Sequence, residues 1–163
     1  MEKRRLTEKE NLAYLQESQT RACFICGIVA GNPAEQENII FEDENVIVFF
    51  PLFTTMYGYI LVAPKRHVEQ VTGDFSLADY LRLQHTVYVF SEAVRIETKA
   101  ERVYILSLGS QQGNRHVHWH IAPLPAGVPY EKQQLHALDS ANGVLEMSAK
   151  EKDALAGRIR ARV

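Results

Sequence analysis

The chain is short of cysteine: 163 residues hold two, and both sit in the stretch CFIC, residues 23 to 26. A single pair that close together staples nothing, so a disulfide framework is excluded. Neither charge is in surplus. Eighteen Lys and Arg against twenty Asp and Glu leave a formal net charge of −2, which argues for no nucleic-acid partner and no anionic membrane. Long apolar runs are missing as well. The longest, VIVFF with its neighbours, has the length of a strand and not of a membrane span. The opening MEKRRLTEKENLAYLQ is charged and has no apolar signal-peptide segment. No repeat or low-complexity stretch is visible. A soluble cytoplasmic protein is expected, folded as one domain over 1–163 with enough apolar content for a core.

What is present reads as alternating helix and strand. Thr7 with Glu10 makes a capping box that opens a helix over residues 7 to 21. CFICGIVAGN predicts a short helix that stops near Gly31 and Pro33. NIIFED, VIVFF and YILVAP predict three strands, with DEN as a tight hairpin between the first two. The clearest helix covers 76 to 97. Ser76 and Asp79 begin it, and Leu83, Val87, Phe90 and Val94 line one face. RVYILSLGS predicts a fourth strand and HVHWHIAP a fifth, joined by the short turn GSQQGN. Past Pro125 the chain is turn-rich, then polar and helical, with Ser148 and Glu151 as a last capping box. The sum is an α+β fold with a largely antiparallel sheet.

HVHWHIAP carries three of the six histidines within five positions. Polar and apolar residues alternate, which is the strand period. On a strand His116, His118 and His120 share one face, with bases about 6.6 Å apart, and Val117 and Trp119 take the other. Such a row can grip a metal, as three histidines do in zinc hydrolases. It can also flank a reacting phosphorus, because a neutral imidazole is a competent nucleophile near neutral pH. The preceding Gly109, Ser110, Gly113 and Asn114 offer free backbone N–H groups that could cradle phosphate oxygens. The CFIC pair has three readings: a redox pair, two core cysteines, or half of a zinc site. Phe24 and Ile25 between the sulfurs argue for burial.

HVHWHIA resembles the His-φ-His-φ-His-φ-φ signature of the HIT (histidine triad) superfamily, where φ is apolar. LGSQQGNR is similar to that family's glycine-rich phosphate loop. YILVAPKRHVEQV is similar to its central strand and following turn, and CFICGIVAGNPAEQENIIFEDENVIVFF to its opening helix and first hairpin. The likeness spans about residues 23 to 125, with 1–22 as an N-terminal helix and 126–163 as a C-terminal extension. It implies a HIT-like fold: a five-stranded, largely antiparallel sheet, a long helix packed on it, and helical extensions at both ends.

The resemblance also implies chemistry. HIT proteins are nucleotide hydrolases or nucleotidyl transferases, of phosphoramidate or dinucleoside polyphosphate type among others. His118 would attack the α-phosphorus, His120 would hold the phosphate and assist the leaving group, and His116 completes the catalytic row. A backbone carbonyl would hold the nucleophile's other ring nitrogen. Ser107, Ser110, Gly113 and Asn114 would bind phosphate, and Phe24, Ile28, Phe49 and Leu52 would line the base pocket. Cys23, Cys26, His67 and His116 match the ligands of a structural zinc found in some relatives. No organic cofactor is implied, and a homodimer is. Three departures stand out. Tyr59 replaces a supporting histidine, Pro51 replaces an acidic residue that grips the ribose, and the phosphate turn is shorter than usual, with GNRH in place of a Gly-Gln-Ser/Thr-type approach, Ser107 where asparagine is common and Arg115 beside the triad. They motivate an alternative reading, a non-catalytic nucleotide-binding or partner-binding module on the same scaffold.

Overall fold

The computed structural model describes residues 3–33, 39–52, 54–108 and 115–163. β1 (Lys3–Arg4) leads into α1 (Glu8–Thr20), which opens as its sequence dictates. The Thr7 hydroxyl accepts the Glu10 N–H, and the Glu10 carboxylate takes the Thr7 N–H in return. Then come α2 (Phe24–Val29), β2 (Ile39–Glu42), β3 (Val46–Phe49) and β4 (Ile60–Pro64). The β2–β3 hairpin is closed by Asp43, whose carboxylate accepts the N–H groups of Asn45 and Val46, each at 2.7 Å. α3 (Leu77–Thr98), β5 (Arg102–Leu106) and β6 (Trp119–Leu124) complete the core. The extension adds α4 (Leu135–Leu138), β7 (Val144–Leu145) and α5 (Ala149–Arg160), the last capped by Ser148 and Glu151.

Five strands form an antiparallel sheet in the order β2-β3-β4-β6-β5. Their alternation divides the core in two. Val46, Val48, Ile60, Val62, Trp119 and Ile121 face α3 and α5. Ile47, Phe49, Leu61, Ala63, Ala122 and Leu124 face the other way, onto Ile25 and Ile28 of α2. α3 buries Leu83, Val87, Phe90 and Val94, the stripe expected from its spacing. Glu97 of α3 pairs with Arg158 at 2.6 Å and Arg162 at 2.9 Å, which fastens α5 and the tail beyond it alongside.

Two details of local structure differ from expectation. The ladder of β6 begins at Trp119 and not at His116. The main chain of the two preceding residues is committed elsewhere: the Val117 N–H donates to the Val68 carbonyl at 2.8 Å, and the His116 carbonyl accepts from a side chain. β1 and β7 also form a small antiparallel pair, with Lys3 opposite Leu145. That contact joins the two ends of the chain, so no local pattern announces it. The predicted turn GSQQGN lies outside the described residues. At the start of the central strand, Gly58 has φ +84°, and a Cβ there would meet Thr98 Cγ2 at 2.5 Å. Only glycine fits both conditions.

Candidate active site and metal centre

Alternation places His120 on the α2 side of the sheet, since its neighbours Trp119 and Ile121 pack toward α3. Val117 packs with them. His116 turns toward α2 and is fully buried. The three imidazoles therefore sit as a row, with ring centroids of His118 and His120 4.7 Å apart.

The first histidine belongs to a cluster. Cys23 is the N-cap of α2, and its sulfur accepts the Cys26 N–H at 3.4 Å, so the CxxC spacing turns both sulfurs to one side of the first helical turn. His116 Nδ1 lies 3.4 Å from Cys23 Sγ and 3.6 Å from Cys26 Sγ, and His67 Nδ1 lies 3.3 Å from Cys26 Sγ. The four donor atoms all fall within 4.8 Å of one another. Zn–S and Zn–N bonds of about 2.3 and 2.0 Å at tetrahedral angles put S and N about 3.6 Å apart, close to these three cysteine–histidine separations. The far nitrogens agree. His116 Nε2–H donates to the Pro64 carbonyl at 2.8 Å, and His67 Nε2 faces the Glu69 carboxylate at 3.3 Å. Each Nδ1 is left as a lone pair aimed at the sulfurs. Burial and the adjoining Cys23 sulfur push the Cys26 thiol up to about 11, and burial takes His116 down to about 4. A divalent cation favours the thiolates and the neutral rings at once. The four residues are compatible with zinc.

The second histidine is arranged differently. His118 Nδ1–H donates to the His116 carbonyl at 2.8 Å. A carbonyl only accepts, so Nδ1 carries the proton and Nε2 keeps its lone pair. The ring is half-buried, and burial holds its pKa below the ordinary imidazole value. Near neutral pH it is an uncharged ring whose Nε2 has no hydrogen-bond partner among the described residues.

The third histidine meets the residue that marks this chain out. The Tyr59 hydroxyl lies 2.8 Å from His120 Nδ1. Tyr59 is buried, which raises its pKa and keeps its proton in place, while burial lowers His120 to about 3. Among the described residues the phenol has no other side-chain partner. Its proton therefore goes to Nδ1, and His120 carries its own proton on Nε2. The two neighbouring rings are thus complementary tautomers, one with a free lone pair and one with a free N–H. The sequence marks Tyr59 as a replacement, but the bond it makes depends on the register that sets Leu61 opposite His120.

The other expected residues are spread more widely. Phe24 is half-buried and meets Phe49 edge-on at 6.2 Å, Ile28 and Phe49 are core residues, and Leu52 is 59% exposed. The Ser107 hydroxyl is buried just past β5 with no hydrogen-bond partner among the described residues. Arg115 is exposed. Ser110, Gly113 and Asn114 lie outside the described residues. No helix among those described is long and apolar enough to cross a membrane.

Comparison with known proteins agrees with this geometry. A family model described as the HIT domain matches residues 32–126, and the chain belongs to that family. Protein hit of Bacillus subtilis is 30% identical over 106 residues, covering 62% of this chain and 70% of that protein. An uncharacterized HIT-like protein of Methanocaldococcus jannaschii is 31% identical over 109 residues, with 62% and 78% covered. Among solved structures, a hypothetical histidine triad nucleotide-binding protein of Sulfolobus tokodaii shares the fold with a TM-score of 0.68 at 22% identity, over 86% of this chain and 91% of the other. A Zn-bound histidine triad family protein of Mycobacterium smegmatis does so with a TM-score of 0.66 at 21% identity, over 89% and 94%.

Proposed function

We propose that the chain is a nucleotide hydrolase or nucleotidyl transferase that works at the α-phosphate through a covalent nucleotidyl-histidine on His118. The observation that carries this reading is the 2.8 Å bond from His118 Nδ1–H to the His116 carbonyl. It fixes the tautomer whose Nε2 is a nucleophile. In the first step Nε2 attacks the α-phosphorus and the P–O or P–N bond to the leaving group breaks. The leaving group departs with the bonding pair and accepts a hydrogen bond from His120 Nε2–H; a nitrogen leaving group takes its proton from water. In the second step water, or another acceptor hydroxyl, attacks the phosphorus. The P–N bond returns its pair to His118, and the acceptor's proton passes to solvent water. Positioning and hydrogen bonding to the phosphate oxygens supply most of the catalysis. Ser107, Ser110, Gly113 and Asn114 are the phosphate-binding candidates, and Phe24, Ile28, Phe49 and Leu52 the walls of the base pocket.

Cys23, Cys26, His67 and His116 would hold a closed, four-coordinate zinc, which supplies structure and not an open catalytic position. The Zn-bound relative of M. smegmatis supports this reading. A homodimer is supported by α3. Leu77, Leu81, Tyr88 and Ile96 lie at helical spacing away from the buried stripe and are exposed, and Ile105 on the edge strand β5 is exposed as well.

Incubation with an α-labelled nucleoside phosphoramidate or dinucleoside polyphosphate, followed by alkaline quench, tests the mechanism. Acid-labile label on His118, absent from His118→Ala, is the expected result. Hydrolysis by His118→Ala at the wild-type rate would exclude it. The replacement of the ribose-gripping acid by Pro51 favours a second reading, a module that binds nucleotides without turning them over. Binding in calorimetry with no turnover of either substrate class would favour that reading.

A further inference from the structure

At the other end of β6 lies an open cavity whose basic side chains are solvent-exposed. Its volume is about 1040 Å³, and its lining shares no residue with the triad or the cysteine–histidine cluster. Leu124 is four residues past His120, so about 13 Å of strand separates the two places.

The walls have a distinct chemistry. Lys3, Arg5, Lys132 and Arg158 line the cavity against one carboxylate, Glu151, in a chain whose net charge is negative. Glu151 is already engaged: its carboxylate takes the N–H and hydroxyl of Ser148. Arg158 pairs with Glu97 and donates to the Tyr57 hydroxyl at 2.7 Å. Lys3, Arg5 and Lys132 have no ion-pair partner among the described residues. Burial lowers the Lys3 pKa, as expected of a cation with nothing to offset its desolvation. The Thr55 hydroxyl on the wall is buried with no hydrogen-bond partner among the described residues, and Thr55 is only 3% exposed. A buried unpaired hydroxyl is costly unless something bonds to it. Between these polar groups the wall is apolar, through Met56, Val128 and Leu145.

The charge of the cavity comes from the extensions. Every basic group on its wall, His136 included, lies outside residues 32–126 that match the HIT domain. The extensions are tied together by the β1–β7 pair, and Leu145 N–H donates to the Thr54 carbonyl at 2.7 Å, which docks that pair beside the core. The extensions therefore carry positive charge to an apolar corner of the common fold. Unpaired cations, a buried hydroxyl and an apolar floor of this volume are the features of a site for an amphipathic anion.

We propose that this cavity binds a phosphorylated small molecule that carries an apolar or aromatic body, at a site separate from the histidine triad. The phosphate sits among Lys3, Arg5 and Lys132, and the body lies against Met56, Val128 and Leu145.

The test is calorimetric titration of the full chain with 1-naphthyl phosphate, with inorganic pyrophosphate as a second arm. Wild type binds naphthyl phosphate, and His118→Ala binds it equally well. The Arg5→Gln/Lys132→Gln double variant weakens binding by about tenfold or more. Pyrophosphate binds at least about tenfold more weakly than naphthyl phosphate, because it gains nothing from the apolar wall. Absence of binding by wild type, loss of binding in His118→Ala, or a double variant within about twofold of wild type overturns the proposal. Pyrophosphate binding as tightly as naphthyl phosphate overturns the class of ligand. If melting shows that the double variant is unfolded, Val128→Trp, which intrudes on the apolar wall and leaves every charge in place, is judged by the same criterion.

Discussion

His116 and His118 are the same residue type, two positions apart, and the structure gives them opposite circumstances. Both nitrogens of His116 are committed, Nε2 to the Pro64 carbonyl and Nδ1 to the sulfurs of Cys23 and Cys26. His118 commits one nitrogen, to the His116 carbonyl, and the other has no hydrogen-bond partner among the described residues. The difference teaches that imidazole chemistry here is set by how many ring nitrogens the fold leaves uncommitted. A ring with none left can only hold something in place, and a ring with one left can react.

Substitution of the two residues should therefore separate activity from stability. His118→Ala is expected to lower kcat by about 10⁴-fold or more, as loss of a nucleophile does. Its unfolding midpoint in urea should stay near that of wild type. His116→Ala should do the reverse in emphasis. It leaves a cavity and removes a ligand, and is expected to cost about 3 kcal/mol or more in denaturant unfolding. If the two variants lose stability equally, the comparison fails.

Metal analysis sharpens the same contrast. One zinc per chain is expected in wild type and in His118→Ala, and less than one in Cys23→Ser. Chelation should lower the melting temperature of wild type and leave that of Cys23→Ser unmoved. A metal that survives Cys23→Ser and is lost with His118→Ala would put the ion on the wrong histidines.

A smaller effect is expected at Tyr59. Tyr59→Phe removes the donor to His120 Nδ1 and lets the ring take either tautomer. A fall in kcat of about 10-fold or more is expected, less than removal of a whole hydrogen-bond donor costs, because the ring keeps its place and only its tautomer is freed. KM should change little, and ¹⁵N shifts of the His120 ring should report the change of tautomer directly. Unchanged ¹⁵N shifts would remove Tyr59 from its assigned role.

Stability against pH offers a further test. In the unfolded chain an imidazole takes up a proton near pH 6.5, whereas burial holds folded His120 neutral down to about 3. The folded pKa is depressed, so the contribution is complete above the unfolded pKa and is lost as pH falls from there toward 3. The melting temperature should drop across that window, and His120→Gln should flatten the slope. A variant with the wild-type slope would place the titrating group elsewhere.

Much of the fold was legible because its signals are local. Thr7 with Glu10, Ser148 with Glu151, and Ser76 with Asp79 mark helix starts through bonds made within one turn. The strands between Ile39 and Pro64 follow from β-branched runs broken at Asp43. Alternation in HVHWHIAP correctly sends Val117 and Trp119 to one side, yet the ladder starts only at Trp119. Periodicity records which way side chains point and says nothing about which backbone groups are already spoken for. The proximity of CFIC to His67 and His116 came from family resemblance, since distant segments meet only in the folded sheet. The β1–β7 pair and the basic corner it builds had no local signal at all.

The amide linking His116 to Val117 has a further consequence. Its oxygen receives the His118 ring, and its hydrogen is held by the carbonyl of Val68, the residue directly after His67. One rigid plane thus spans the gap between the His67 loop and the His118 ring, and is polarised from both sides. A shift of that loop would rotate the plane and, on the proposed mechanism, swing His118 Nε2 off its line of attack.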